Sequence, residues 1–129
     1  LHMDLAIVDK RRQKANSSEV MNIIGDIEGK RVILVDDMID TAGTLCNAAK
    51  AIVEAGSTEV IACATHAVLS GPAIERIDQS VIKELILLDT VPVPEENMLD
   101  KFTILPVAPV FADAIERIYA DKPVSTIGQ

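Results

Sequence analysis

The run Val32-Ile33-Leu34-Val35-Asp36-Asp37-Met38-Ile39-Asp40-Thr41-Ala42-Gly43-Thr44 decides how this chain folds. Its four leading apolar residues, three of them β-branched, predict a buried strand. Two carboxylates, Asp36 and Asp37, stand at the carboxyl end of that strand, and small and hydroxyl residues follow. From Leu45 the apolar spacing lengthens from about two to about 3.6 residues, as at the start of a helix. In open α/β sheets, ligands bind beyond the carboxyl ends of the strands. A phosphate there would meet unpaired backbone amides and the positive end of a helix dipole. The run therefore reads as a sugar-phosphate site, with acids for hydroxyls or a metal and a cradle of amides for the phosphate. A plainer reading of each residue also exists. Asp36 and Asp37 could be an exposed acidic pair, Asp40 or Thr41 a helix N-cap, and Gly43 a turn residue. Acids, hydroxyls and glycine packed between one strand and one helix favour the site. On an extended chain the two adjacent aspartates point to opposite sides.

Working outward, Leu5 to Val8 predicts a short strand that runs into Asp9-Lys10-Arg11-Arg12-Gln13-Lys14, a dense basic cluster. Cations so close repel one another, which predicts a solvated loop that an anion could gather. Val20 to Ile24 and the turn Gly25 to Lys30 predict an extended hairpin arm leading into the central strand. Leu45, Ala48, Ala49, Ile52 and Val53 share one helical face, and Gly56 stands where a helix-ending glycine is favoured. Glu59 to Ala64 predicts a strand buried on both faces, with Thr65 and His66 at its end. His66, at a strand end, could touch a ligand, though the reading favoured is a hydrogen-bonded structural histidine; metal binding is not arguable, since no second His or Cys stands at ligand spacing. Ser70 predicts an N-cap before Pro72. Leu85 to Leu88 and Phe102 to Leu105 predict two more strands. Pro109 to Tyr119 predicts a last helix with Val110, Phe111, Ala114, Ile115 and Ile118 facing inward. Strands alternating with helices give one α/β domain with a mainly parallel sheet flanked by helices. Leu1-His2-Met3 reads as a cloning remnant, and the abrupt strand at Asp4 suggests an amino-terminally truncated domain over 4–129.

Composition narrows the function. The 129 residues include two Phe, one Tyr and no Trp, so the core is aliphatic. A formal net charge of −8 argues against nucleic acid or an anionic membrane as partner. Neither Cys46 nor Cys63 has metal-type spacing, and both read as free thiols of a reducing cytoplasm. No apolar run reaches transmembrane length.

The segments VILVDDMIDTAGT, DKRR and ATHAVLSGPAIERI, in that family's order and approximate spacing, resemble ribose-phosphate pyrophosphokinase, over nearly the whole chain from Asp4. The resemblance implies a type I phosphoribosyltransferase-like fold and a carboxyl-terminal, ribose 5-phosphate-binding part. It implies a cytoplasmic, Mg2+-dependent enzyme that transfers the diphosphoryl group of ATP to the C1 hydroxyl of ribose 5-phosphate, giving phosphoribosyl pyrophosphate and AMP. By motif match, Asp40, Thr41, Ala42, Gly43 and Thr44 would hold the 5-phosphate, and Asp36 with Asp37 the ribose hydroxyls or associated metal. Lys10 and Arg12 match the basic pair of a catalytic loop that closes on ATP. No metal ligand is assigned within the chain, homo-oligomers up to hexamers are implied, and the piece alone is expected to be inactive. Gln13, Ala67 and the tail Ser125-Thr126-Ile127 depart from the family pattern. A phosphoribosyltransferase shares the acid–acid–helix run but is not expected to carry DKRR or THAVLSG. A non-catalytic regulatory subunit would have no need of Lys10 and Arg12.

Overall fold

The computed structural model describes residues 3–11 and 20–128. Two strands open it, β1 (Ile7–Arg11) and β2 (Val20–Ile24), paired antiparallel from Ile7 opposite Ile24 to Arg11 opposite Val20. They form a two-stranded sheet of their own. The basic cluster therefore does not begin as a loop. Asp9, Lys10 and Arg11 have backbones in β1, opposite Asn22, Met21 and Val20 of β2, where the ladder bonds made by alternate residues hold the segment extended. The rest of the expected loop, from Arg12 to Ser18, lies outside the described residues.

The main sheet holds β3 (Arg31–Ile39), β4 (Glu59–Ala67), β5 (Ile82–Leu88) and β6 (Phe102–Leu105), all parallel and in sequence order. Three helices accompany it: α1 (Gly43–Glu54), α2 (Ala73–Asp78) and α3 (Ala108–Tyr119). This is the expected α/β architecture. Right-handed crossovers between successive neighbours place every connecting helix on one face of such a sheet. The core shows that face: Leu45, Ala49 and Ile52 of α1 and Ala73 and Ile77 of α2 pack with Val60, Ala62, Ala64, Leu85 and Leu87.

Three expectations about burial are corrected by this one-sided arrangement. β3 is not buried on both faces: Ile33 is 46% and Val35 78% exposed, since β3 is a sheet edge and no described helix covers that face. Along β4 burial alternates, with Val60, Ala62 and Ala64 buried while Ile61, Cys63 and Thr65 are only half covered. α3 does not face inward. Val110, Phe111, Ile115 and Ile118 are all exposed, Ile115 to 66%, because α3 follows the last strand and packs mainly on the short 3-10 turn Val124–Thr126.

Several boundaries also move. β3 continues to Ile39 and β4 to Ala67, so Asp36, Asp37, Thr65 and His66 lie within strands rather than after them. The ladder between Asp36–Ala64, Met38–His66 and Ile39–Ala67 holds both ends extended. Val53 of α1 is partly exposed, outside the buried stripe. Gly56 does follow the helix in a left-handed conformation, φ +100°, and its N–H donates to Val53 O at 3.0 Å. Ser70 is not an N-cap. Pro72 occupies that position and gives no side-chain cap. The last carbonyls of α2 are met from outside, where Lys101 Nζ donates to Ile77 O at 2.9 Å and Asp78 O at 3.2 Å.

Candidate functional site

The turn from β3 into α1 is set by one residue. Ala42 adopts the left-handed conformation, φ 61° and ψ 4°, at the N-cap position of α1. An L-residue with a Cβ pays for that conformation, which makes it uncommon outside Gly, Asn and Asp. Ala42 is only 5% exposed, so its methyl group is held in the core. Asp40 and Thr41 are therefore not the cap; they form the exposed crest of the turn before it. The first intrahelical bond runs from Cys46 N–H to Ala42 O at 3.0 Å. That leaves the amides of Gly43, Thr44 and Leu45 without a helical acceptor, and the first turn carries no acidic residue to compete for them. An anion placed there is favoured by both the free donors and the dipole.

A second segment clamps this loop. Leu69 N–H donates to Ile39 O at 2.9 Å and Ser70 N–H to Asp40 O at 3.0 Å. The Ser70 hydroxyl also donates to Asp40 Oδ1. Leu69 itself is left-handed, φ 51°, which turns the chain away after these bonds are made. From α2, Arg76 Nη1 donates to Thr41 O at 3.0 Å. Gly43 makes room for it, since a Cβ at that position would lie 3.2 Å from Arg76 Nη1.

The acids stand just before the turn. Asp36 and Asp37 are both exposed, and the Asp36 carboxylate accepts the Asp37 N–H at 2.9 Å. Pairing of Asp36 with Ala64 and of Met38 with His66 puts Asp36, Met38 and His66 on one sheet face by strand alternation. Asp37 belongs to the other. His66 is hydrogen-bonded, as its sequence position suggested. Its Nδ1 is 2.8 Å from Thr90 Oγ1, whose own hydrogen is donated to Thr65 O at 2.8 Å. A hydroxyl has one hydrogen, so Nδ1 of the ring must be the donor, which in the neutral ring leaves Nε2 as the acceptor. This tautomer follows from the hydrogen-bond chain.

The structure thus brings Asp36, Asp37, Asp40, Thr41, Ala42, Gly43 and Thr44 to one end of one strand. Lys10 has its backbone opposite Met21 in the β1–β2 sheet, and Arg12 lies outside the described residues. Among the described residues no group of three or more His, Cys, Asp and Glu could hold a metal ion. Mg2+ needs no such set: it keeps waters and takes one or two carboxylates together with substrate phosphates, a role that exposed Asp36 and Asp37 fit. Behind the loop, a groove of about 360 Å³ is lined by Gly43, Cys46, Asn47, Lys50, Arg76 and Ser80 among others. Burial raises the Cys46 thiol above its ordinary range, against a hydrogen bond with Ser80 and the charge of Arg76, so it stays protonated at neutral pH. Sequence reasoning gave Ser70 only a helix-capping role and gave Arg76 none. Ser70 and Arg76 sit inside the quoted SGPAIERI segment, but nothing local to that segment says that they reach back to Asp40 and Thr41.

Residues 5–128 match the family model described as "Phosphoribosyl synthetase-associated domain". A ribose-phosphate pyrophosphokinase of Clostridium acetobutylicum is 60% identical over 129 residues, all of this chain and 40% of the relative. One from Caldanaerobacter subterraneus subsp. tengcongensis is 59% identical over 127 residues, 98% of this chain and 40% of the relative. The chain thus spans about 40% of the length of these curated relatives. Among solved structures, phosphoribosylpyrophosphate synthetase from Mycobacterium smegmatis is similar with a TM-score of 0.73 and 38% identity, covering 79% of this chain and 34% of that one.

Proposed function

Since this chain belongs to the phosphoribosyl synthetase-associated domain family, we propose that it is the ribose 5-phosphate-binding part of a ribose-phosphate diphosphokinase. The observation that carries the reading is the β3–α1 turn. It combines unpaired first-turn amides, a fixed left-handed Ala42 and two exposed aspartates one turn of chain upstream. The 5-phosphate takes the amides of the 41–44 segment with the Thr41 and Thr44 hydroxyls, and Asp40 orients the turn through Ser70. Asp36 and Asp37 face opposite sides of β3, so one accepts from the ribose hydroxyls while the other would approach a substrate-borne Mg2+. When bound, Mg2+ neutralises charge developing on the transferred phosphoryl groups.

In the reaction, the C1 hydroxyl of ribose 5-phosphate attacks the β-phosphorus of ATP. A bond forms from the sugar oxygen to that phosphorus, the bond from that phosphorus to the α–β bridging oxygen breaks, AMP leaves carrying that oxygen, and the hydroxyl proton is released to solvent. Phosphoryl transfer depends mainly on positioning and charge stabilisation. Lys10 and Arg12 are assigned to the second task, as cations that close on the polyphosphate. The parent enzyme is cytoplasmic and homo-oligomeric in this reading, and this chain represents its carboxyl-terminal part. No described helix is long and apolar enough to cross a membrane.

Titration of the 15N-labelled chain with ribose 5-phosphate tests the site. Amides of 41–45 are expected to shift, and a response confined to other segments would refute the assignment. With ATP and Mg2+ added, the 129-residue chain alone is expected to form no AMP, because nothing in it is assigned to the adenine half of ATP. Steady AMP formation would overturn that expectation. In a full-length chain, Lys10→Ala is expected to lower kcat about 10²–10³-fold, the range for removing one charge-stabilising donor. Unchanged turnover would remove Lys10 from the reaction.

A further inference from the structure

We propose that Arg76 is a positioning residue for the sugar-phosphate loop, holding its crest in the binding geometry from a separate helix without touching the ligand. The proposal rests on the ribose 5-phosphate reading for its consequence and on geometry alone for its mechanism.

Thr41 is the residue immediately before left-handed Ala42, and its carbonyl belongs to the peptide unit that the turn must rotate. Rotating that peptide aims the carbonyl one way and the Ala42 N–H the other, because in a trans peptide the two lie in one plane and point in opposite directions. Arg76 Nη1 accepts this arrangement by donating to Thr41 O at 3.0 Å. The carbonyl is thus drawn toward α2, and the amide of Ala42 is turned to the opposite side. A guanidinium is rigid, always charged and a stronger donor to a carbonyl than a neutral group. A lone exposed turn would sample other peptide orientations, and this bond removes them.

Three neighbours show that the contact is built into the fold. Gly43 has an ordinary backbone conformation here, so no positive φ accounts for its glycine; what it lacks is the Cβ that would stand 3.2 Å from Nη1 and 3.8 Å from Cζ. α2 is only six residues long, and its placement is fixed by fully buried Ala73 and Ile77 and by Lys101 on its terminal carbonyls. The base of the Arg76 side chain therefore cannot drift. The loop is stitched independently at its two preceding residues, Ile39 and Asp40, by Leu69 and Ser70. Arg76 holds the next carbonyl, that of Thr41, where the chain reverses.

The test compares the wild-type chain with Arg76→Ala, Arg76→Lys, Gly43→Ala and the double variant, in the whole 129-residue chain. Two readouts are used: 15N relaxation of 41–43 without ligand, and the Kd for ribose 5-phosphate. Arg76→Ala is expected to raise backbone mobility at Thr41 and Ala42 and to weaken binding about five- to tenfold, as for an exposed charge-assisted hydrogen bond. Arg76→Lys recovers part of both, since an ammonium still donates. Gly43→Ala weakens binding in the wild type, by displacing the guanidinium, and does nothing further in the Arg76→Ala background. That non-additivity is the signature of a shared contact, and a purely structural role of Arg76 in α2 would not produce it. Unchanged relaxation and Kd in Arg76→Ala, with the wild type binding normally, overturn the proposal and leave the site standing. Increased loop mobility in Arg76→Ala, with no wild-type binding of ribose 5-phosphate, supports the positioning role and refutes the ribose 5-phosphate reading.

Discussion

Replacing Ala42 separates two opposing terms that meet at one residue. Ala42 sits at φ 61° and is 5% exposed, so it is both left-handed and buried. Ala42→Val adds two methyl groups where there is little room, an overpacking cost of about 1–3 kcal/mol. It also forces a β-branched side chain into the left-handed region, at about 1–2 kcal/mol beyond what alanine bears. Together these predict a destabilisation of roughly 2–5 kcal/mol. Ala42→Gly acts differently. It relieves about 1–2 kcal/mol of left-handed strain, loses about 0.8 kcal/mol for one buried methyl, and frees the unfolded chain by about 0.5–1 kcal/mol. Those terms nearly cancel, so glycine is expected within about 1 kcal/mol of wild type. Urea unfolding followed by far-UV circular dichroism measures both. With a slope of about 2 kcal/mol per molar urea, Ala42→Val should lower the midpoint by about 1–2.5 M. Ala42→Gly should leave it nearly unmoved and retain the ribose 5-phosphate response. A valine variant with a wild-type midpoint would show that the turn is not held left-handed, and the account of the phosphate cradle would fall with it.

Other consequences follow from contacts elsewhere. Hydrogen bonds from Lys83 and Arg31 lower the Glu59 carboxyl below its ordinary value of 4.5. A depressed carboxyl contributes stability above its unfolded value and loses it as pH falls through its folded value, so Glu59→Gln should flatten the acid limb of a pH–stability curve below about pH 4.5; an unchanged limb would contradict the pairing. Thr90→Val removes both the acceptor of His66 Nδ1–H and the donor to Thr65 O, and 15N spectra of the ring should show the Nδ1–H form losing its dominance. Val35→Thr, at a position 78% exposed, should change stability by no more than about 0.5 kcal/mol. Ile77→Ala, at a position with no exposure, should cost about 2–5 kcal/mol. Equal effects of those two would refute the one-sided core.

The sequence by itself determined the α/β class, the order of the main elements and the clustering of the candidate site residues along one stretch of chain. Each rests on local signals: β-branched runs for the strands, a change of apolar period at Leu45, and acids and small residues packed between them. The identity of 36, 37 and 40–44 as one cluster was legible because these residues are neighbours in the chain. Burial was less legible. Val32 to Val35 and the apolar stripe of α3 have the composition of covered elements, yet composition cannot say whether a covering layer is present. Strand order decides that, since consecutive parallel neighbours joined by right-handed crossovers put α1 and α2 on the same face. The supports of the site were equally out of reach. Ser70 and Arg76 meet Asp40 and Thr41 across 30 and 35 residues of chain, and Thr90 meets His66 across 24. Side chains so far apart acquire a common geometry only when β3, β4 and β5 come into register. The sequence therefore placed the acid-rich turn between β3 and α1, and the tertiary structure decided what holds it in shape.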